Sequence, residues 1–311
     1  MAIVGVKTVV PAFTNSALPR LPDHPLLAEG SLALIEPGNQ ISPLVGVSSS
    51  GSALYNVAWK QAKRTIGSGD STTLAASWET GSALTSSIGV IERSSKGGIH
   101  VIMSQGASPG TGRGCGIRPP LPIADYIANN PSHLFYASTW FRMTKFGENS
   151  SQVAGYALSS SPSQTTPNLM LSIGPAATYP STANRLYYRR SRNSDWRPSQ
   201  DSAVTPPYAE SMFCNVLVNG YSGTPSLTGS AAQAQMAMFA AGQFGPFSGT
   251  HTVGATYGFS SRLLWLSYIE DLTVSGRSYA QVDALDYGLY TAALASGGAY
   301  YNDTYTTPVL A

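Results

Sequence analysis

The chain has 311 residues, of which 42% are hydrophobic and 11% charged, and its net charge is +2. That apolar content supports a sizeable core, in one large β domain or two ordinary ones, and the 17 Tyr, 9 Phe and 5 Trp exclude a disordered polyelectrolyte. So small a net charge exerts no long-range pull on nucleic acid. With charge far below the usual quarter, roughly, of residues, the polar surface falls to Ser, Thr, Asn, Gln and backbone.

The first thirty residues carry Pro11, Pro19, Pro22 and Pro25. Proline fixes the backbone and removes a donor, so residues 1–30 read as an extended N-terminal arm. The opening run, MAIVGVKTVVPAFTNS, contains Lys7 and lacks the basic start and long apolar stretch of a secretory signal, so the chain is expected to fold in a cytoplasm. No window is long and apolar enough for a membrane span. From Ser31 the texture changes to short apolar or alternating runs bounded by Gly, Ser, Pro or Asn. SLALIE, TLAASWE, SSIGVIERS and GGIHVIMSQ come first, and HLFYASTWFRMT, NLMLSIGP, RLYYRRSR and MFCNVLVNG follow. QMAMFAAG fits either a strand or a helix, and SRLLWLSYIEDLTVSG closes the series. Many short strands separated by turn signals indicate a sandwich or barrel.

In HLFYASTWFRMT the alternation separates two faces. Leu134, Tyr136, Ser138, Trp140 and Arg142 share one, and Phe135, Ala137, Thr139, Phe141 and Met143 share the other. The second is almost wholly apolar and is predicted to meet the core. The first suits partly covered or solvated surroundings. One helix is predicted, over SYAQVDALDYGLYTAAL. Ser278 and Gln281 form a capping box, Tyr279, Val282, Leu285 and Leu289 make the buried stripe, and Asp283 and Asp286 are expected in solvent. The sandwich domain is therefore placed at 31–295. Residues 296–311 form an aromatic tail, whose tyrosines either cover a neighbour or lie back on the domain. Cys115 and Cys214 permit one bridge, but two buried free thiols are favoured.

GASPG, Gly106–Gly110, matches the Gly-x-Ser-x-Gly pattern of a nucleophile elbow. The elbow needs the amide after the serine for its oxyanion hole, and Pro109 has none. The following GTGRGCG starts no helix, so Ser108 is read as a loop residue. No Gly-Lys-Ser/Thr follows for phosphate binding. His24, His100, His133 and His251 have no metal-ligand spacing, and no Asp-x-Asp-x-Asp loop occurs, so no metal or cofactor is expected. Calcium held by loop carbonyls stays open. Asp271 is the carboxylate to watch there, although a carboxylate that accepts backbone amides at a corner of the sandwich is the favoured reading. Arg185, Arg189, Arg190, Arg192 and Arg197, with Tyr187, Tyr188 and Trp196 among them, are the sharpest charge feature. Interleaved arginine and aromatic residues suit phosphates, acidic sugars or a nucleic-acid backbone. With so little net charge, an internally paired hairpin or a protein interface is the better expectation, and Arg185, Arg189, Arg190, Arg192, Trp196 and Arg197 are the candidate partner or anion contacts.

The segment LLWLSYIEDLTVSGRSYAQVDALDYGLY places a strand, Asp, a short strand, a turn and a capped helix in succession. It resembles the closing segment of concanavalin A-like, laminin-G-type jelly rolls. SSKGGIHVIMSQG, HLFYASTWFRMT and MFCNVLVNGYSG resemble middle strands of the same family, so the resemblance covers roughly residues 30 to 292. The looser N-terminal part and the small-residue composition are similar to a subgroup found in virion proteins of tailed bacteriophages. The resemblance implies an all-β fold, an antiparallel sandwich with a short C-terminal helix and extended arms. It does not by itself imply sugar binding. Jelly-roll glucanases carry Glu-x-Asp-x-x-Glu on one strand, and this chain has no Glu-x-Asp. Glu270 and Asp271 are adjacent, so a regular strand points them to opposite faces. Lyases of similar fold use Gln-Ile-His, but Gly98 stands in place of the Gln before Ile99 and His100, and His100 is expected to be structural. The expected protein is thus no enzyme. It is a structural and interaction protein of a tailed-phage virion, assembled in the host cytoplasm at tail or baseplate and, less so, as capsid decoration. It would pack against other virion structural proteins and itself, as a trimer by analogy, without nucleic acid. The alternative is a carbohydrate-binding module for a host surface glycan.

Overall fold

The computed structural model describes residues 24–39, 51–104, 112–145, 210–219, 236–242 and 260–308, with 233 and 244 and the backbone of four strands between 152 and 197. In chain order the first strands are β1 (Ser31–Ile35) and β2 (Ser52–Leu54), then helix α1 (Trp59–Ile66), β3 (Ala76–Thr80), β4 (Gly89–Arg93), β5 (Ile99–Met103) and β6 (Gly114–Arg118). Helix α2 (Leu121–Asn129) precedes β7 (Leu134–Lys145), β8 (Gln152–Leu158), β9 (Leu169–Pro175), β10 (Leu186–Arg190), β11 (Trp196–Arg197) and β12 (Glu210–Asn219). QMAMFAAG resolves as strand, split into β13 (Met236–Ala237) and β14 (Phe239–Gly242). The long β15 (Ser261–Asp271) leads into a one-turn helix α3 (Leu272–Ser275) and helix α4 (Tyr279–Leu294).

Among the described residues all strand pairings are antiparallel. One sheet runs β11-β12-β7-β15-β5-β4; along the far edge of β15, β5 takes the first part and β1 the last. The other layer is built from two four-stranded sheets, β10-β9-β8-β13 and β14-β6-β3-β2. They meet at Met238, whose N–H donates to the Ile117 carbonyl at 2.8 Å, so a kink rather than a gap divides them. The expected all-β antiparallel sandwich is therefore the observed fold, short C-terminal helix included.

Alternation on β7 sorts its faces as the sequence predicts. Phe135, Ala137, Phe141 and Met143 join Trp78, Ile99, Val101, Ile117 and Phe239 in the core between the layers. Burying each of the larger aliphatic, methionine and phenylalanine side chains stabilises the fold by roughly 1.5–3 kcal/mol. The opposite face of the first sheet is also covered. Tyr136, Trp140, Leu266 and Tyr268 form a second core with Leu26 from the N-terminal side and Val282 and Tyr290 from α4. A bulge between Leu264 and Leu266 leaves Trp265 without a partner on β7 and places Trp265 and Leu266 together in this outer core.

The sequence reading predicts neither α1 nor α2, and it places a short strand where α3 stands. α1 has no capping side chain at Ala58; Asn56 instead ties its start to β1, accepting from the Leu34 and Ala58 amides and donating to the Leu32 carbonyl. α2 begins at Pro120 and buries Ile123, Ala124, Ile127 and Ala128, a helical spacing that was there to be read. Within the segment read as an arm, residues 24–30 make turns against the sandwich and Leu26 is fully buried. In the tail, Tyr300 lies back on the domain, stacked on Trp265 with centroids 5.4 Å apart. Cys115 and Cys214 are buried free thiols, as favoured.

Candidate functional site

The chemistry-bearing side chains converge on carboxylates, most of them at the outer face of the first sheet and its ends. Asp271, the last residue of β15, is fully buried. Its Oδ1 accepts from the amides of Thr273 and Val274 at 2.9 and 3.2 Å, which caps α3. Its Oδ2 accepts from the Tyr126 hydroxyl at 2.8 Å and lies 2.6 Å from His133 Nδ1. The corner role read from the sequence holds, and α2 and the start of β7 are pinned to the same carboxylate. With Oδ2 already taking the tyrosine proton, Nδ1–H of His133 must be the donor. Such a dyad is half of a general-base arrangement, but among the described residues no hydroxyl or thiol bonds to the other ring nitrogen. Burial, and then the bond to Asp271, push the Tyr126 phenol well above its ordinary value, so it stays a donor.

Glu270 points the other way, as adjacent strand residues do. Its carboxylate is fully buried and paired to Arg277, whose Nε reaches Oε1 at 2.8 Å and whose Nη2 bonds Oε2. The same guanidinium donates to the Leu26 carbonyl at 2.8 Å, and the Tyr268 hydroxyl lies 3.0 Å from that oxygen. This holds residues 24–30 against the sheet.

The predicted exposure of Asp283 and Asp286 is wrong. Both are buried beneath α4, because the helix turns a stripe of Tyr279, Val282, Asp283, Asp286 and Tyr290 to the sheet and leaves Leu285 and Leu289 half-buried. Tyr136 Oη and Trp140 Nε1 each donate to Asp286 at 2.8 Å. Asn215 Nδ2 donates to Asp283 and to the Tyr136 oxygen, and Tyr279 Oη donates to Asn215 Oδ1, all at 2.8 Å. The outer face of the sheet carries aromatic groups with polar ends, which need acceptors once covered, and the helix supplies them. Burial pushes the Asp286 carboxyl up to about 6, with the donors on β7 only partly offsetting it. The predicted capping box of Ser278 and Gln281 is present.

A further cluster lies under the C-terminal segment. His100 is fully buried, with Nδ1 2.7 Å from Glu92 Oε1 and Nε2 2.8 Å from Thr144 Oγ1, the structural histidine expected of that strand. Asp303 accepts from Ser94 Oγ, Ser95 Oγ, the Lys96 amide and Trp265 Nε1 at 2.7–3.0 Å. Inside the sandwich Arg262 is fully buried, donates to the Ala240 carbonyl at 2.9 Å, and is pushed down by burial to about 9. Among the described residues no group of three or more metal-ligating side chains is present, and no helix is long and apolar enough to cross a membrane.

Of the arginine-rich candidates, Arg185 and Arg192 lie outside the described residues, as does Ser108. Arg189 and Arg190 end β10, and Trp196 and Arg197 form β11. β10 is an edge strand of one layer and β11 of the other.

These features define a class: an antiparallel β-sandwich whose buried carboxylates tie its helices and terminal segments to one sheet. No protein-family model matches the chain, and no curated protein matches it. Among solved structures it is similar to the sialidase of Trypanosoma rangeli, at 10% identity and a TM-score of 0.34, over 81% of this chain and 33% of that one. It is also similar to the binding domain of botulinum neurotoxin serotype D/C VPI 5993, at 12% identity and a TM-score of 0.35, over 83% and 53%. A third likeness is to the binding domain of botulinum neurotoxin DC in complex with rat synaptotagmin II, at 13% identity and a TM-score of 0.32, over 83% and 52%. The chain thus spans about a third of the sialidase and about half of the neurotoxin domains. At these scores the fold rests on strand order and packing, and no function is carried over.

Proposed function

We propose that this chain is a structural and interaction protein of a tailed-phage particle, placed at tail or baseplate and using a concanavalin A-like sandwich for protein–protein assembly. One observation carries the reading: Asp271, Glu270, Asp286 and Asp303 are all engaged by donors of this same chain, so each serves as a clamp. Rigid two-layer packing with terminal segments fastened down is what an assembly subunit needs. The resemblance of the strand segments and the sparse charge supply the particle context. In this reading the chain is no enzyme and joins other virion structural proteins as a homo-oligomer, with a trimer by analogy. The segment bearing Arg185, Arg189, Arg190, Arg192, Trp196 and Arg197 is the contact for a partner or an anion.

Mass spectrometry of purified particles tests this: the chain is expected at stoichiometric abundance, and its absence rejects the proposal. Exposed Tyr287 and Tyr301, at 37% and 40% accessibility, are the observation that favours glycan recognition as a second reading. Glycan-array binding that Tyr287→Ala or Tyr301→Ala abolishes would turn the assignment to receptor recognition. Silence on arrays would leave assembly.

A further inference from the structure

Past α4, the chain turns at Gly297, whose φ of +84° suits glycine, and crosses the outer face of the first sheet towards edge strand β4. Three attachments hold it. Tyr300 stacks on Trp265 and donates to Glu36 Oε1 at 2.8 Å. Asp303 sits among its four donors, and beside it Ser95 N–H donates to the Thr304 carbonyl while Thr304 N–H donates to Ser95 Oγ, both at 2.9 Å. Thr306 donates twice to Glu92, from its amide at 2.8 Å and from its hydroxyl at 2.6 Å. Tyr305 covers His100, with ring centroids 4.8 Å apart, and Arg142 lies over the same tyrosine ring at 5.6 Å.

We propose that residues 296–308 form a strap that His100 and Glu92 latch and that acid opens. The coupling is geometric, because Glu92 is shared: it takes the His100 Nδ1 bond and both Thr306 bonds. Neutral His100 donates from Nδ1 and accepts at Nε2 from Thr144, so every atom of the latch is matched. A second proton reverses the Thr144 bond and places a cation in a fully buried site. The charged groups facing that site are Glu92 from β4, Arg142 from β7 and Asp303 from the strap; β15 contributes Leu263 at the paired position. Lifting the strap gives the imidazolium water and an undivided Glu92. Burial holds His100 below the ordinary histidine value, with Glu92 only partly offsetting it, so the closed form favours the neutral ring. Closure is then fully favoured above about pH 6.5 and weakens as pH falls. The inference rests on the strap's own contacts and not on the assembly reading.

Hydrogen exchange of the full chain between pH 7.5 and pH 5, corrected for intrinsic rates, tests it, with the β7 amides as the internal standard. The expected result is opening of residues 300–306 that rises by up to about tenfold per pH unit, the slope of one proton, while β7 stays protected. His100→Gln is expected to flatten that slope. His24→Gln is the control, because half-buried His24 neighbours Glu36 at the other end of the strap, and it should keep the slope. Thr306→Val, which removes the hydroxyl bond to Glu92 but keeps the amide bond and leaves His100 in place, should raise opening at pH 7.5. A strap equally protected at both pH values, β7 loosening in step, a slope surviving His100→Gln, or one removed by His24→Gln overturns the proposal.

Discussion

Asp286 turns the pH of the solution into a load on the α4 interface. Its carboxyl has an ordinary value of 3.8 and lies at about 6 when folded. The folded value is the higher one, so the group's contribution is fully present below pH 3.8 and is lost as pH rises through 6. The shift of about two units corresponds to roughly 3 kcal/mol across the whole window, of which about 2 kcal/mol falls between pH 4.5 and pH 7.5. His100 and His24, both held low by burial, change in the opposite direction and would blur a bare pH profile. The informative quantity is therefore wild type minus Asp286→Asn, measured by urea unfolding at both pH values. Asparagine keeps one acceptor for Tyr136 or Trp140 but cannot ionise. The variant is expected to be less stable at pH 4.5 and to recover about 2 kcal/mol relative to wild type by pH 7.5. A difference that stays flat with pH would refute the buried, high-lying carboxyl, and with it the account of what holds α4.

Other consequences follow from single contacts. Ser278→Ala removes the capping box of α4 and should cost about 1 kcal/mol in urea unfolding. Gly30→Ala should cost roughly 1–3 kcal/mol or prevent folding, because φ is +90° and a Cβ would lie 2.5 Å from the Asp271 carbonyl oxygen. Neither cysteine should react with a thiol reagent in the native state, since both are buried and burial pushes the Cys115 thiol up; prompt labelling of either would contradict the packing of its strand.

The sequence disclosed what repeats along a strand. Strict alternation in residues 134–145 separated the inner from the outer face of β7, and the Ser278–Gln281 pair marked the start of α4. Hydrophobic periodicity failed where polar groups are buried in pairs. It assigns aspartate to solvent, whereas Tyr136, Trp140 and Asn215 on the facing strands required acceptors, and Asp283 and Asp286, three apart on the helix with Tyr279 and Tyr290 on the same stripe, supplied them. The bulge at Trp265 leaves no local signature, nor do the partners of Asp271 and Asp303, which lie more than a hundred residues away along the chain for Tyr126, His133, Ser94 and Ser95. α1 escaped because a buried asparagine outside the helix does the work of a capping side chain.

The central claim is that this sandwich works through its exterior, as a subunit locked among others. Lysine-directed cross-linking of purified particles, read by mass spectrometry, tests it directly, since Lys60 and Lys63 stand exposed on α1. The account predicts cross-links from this chain to further copies of itself and to other particle proteins. Particles in which the chain is missing, or a purified chain that turns over a host polysaccharide, would contradict it.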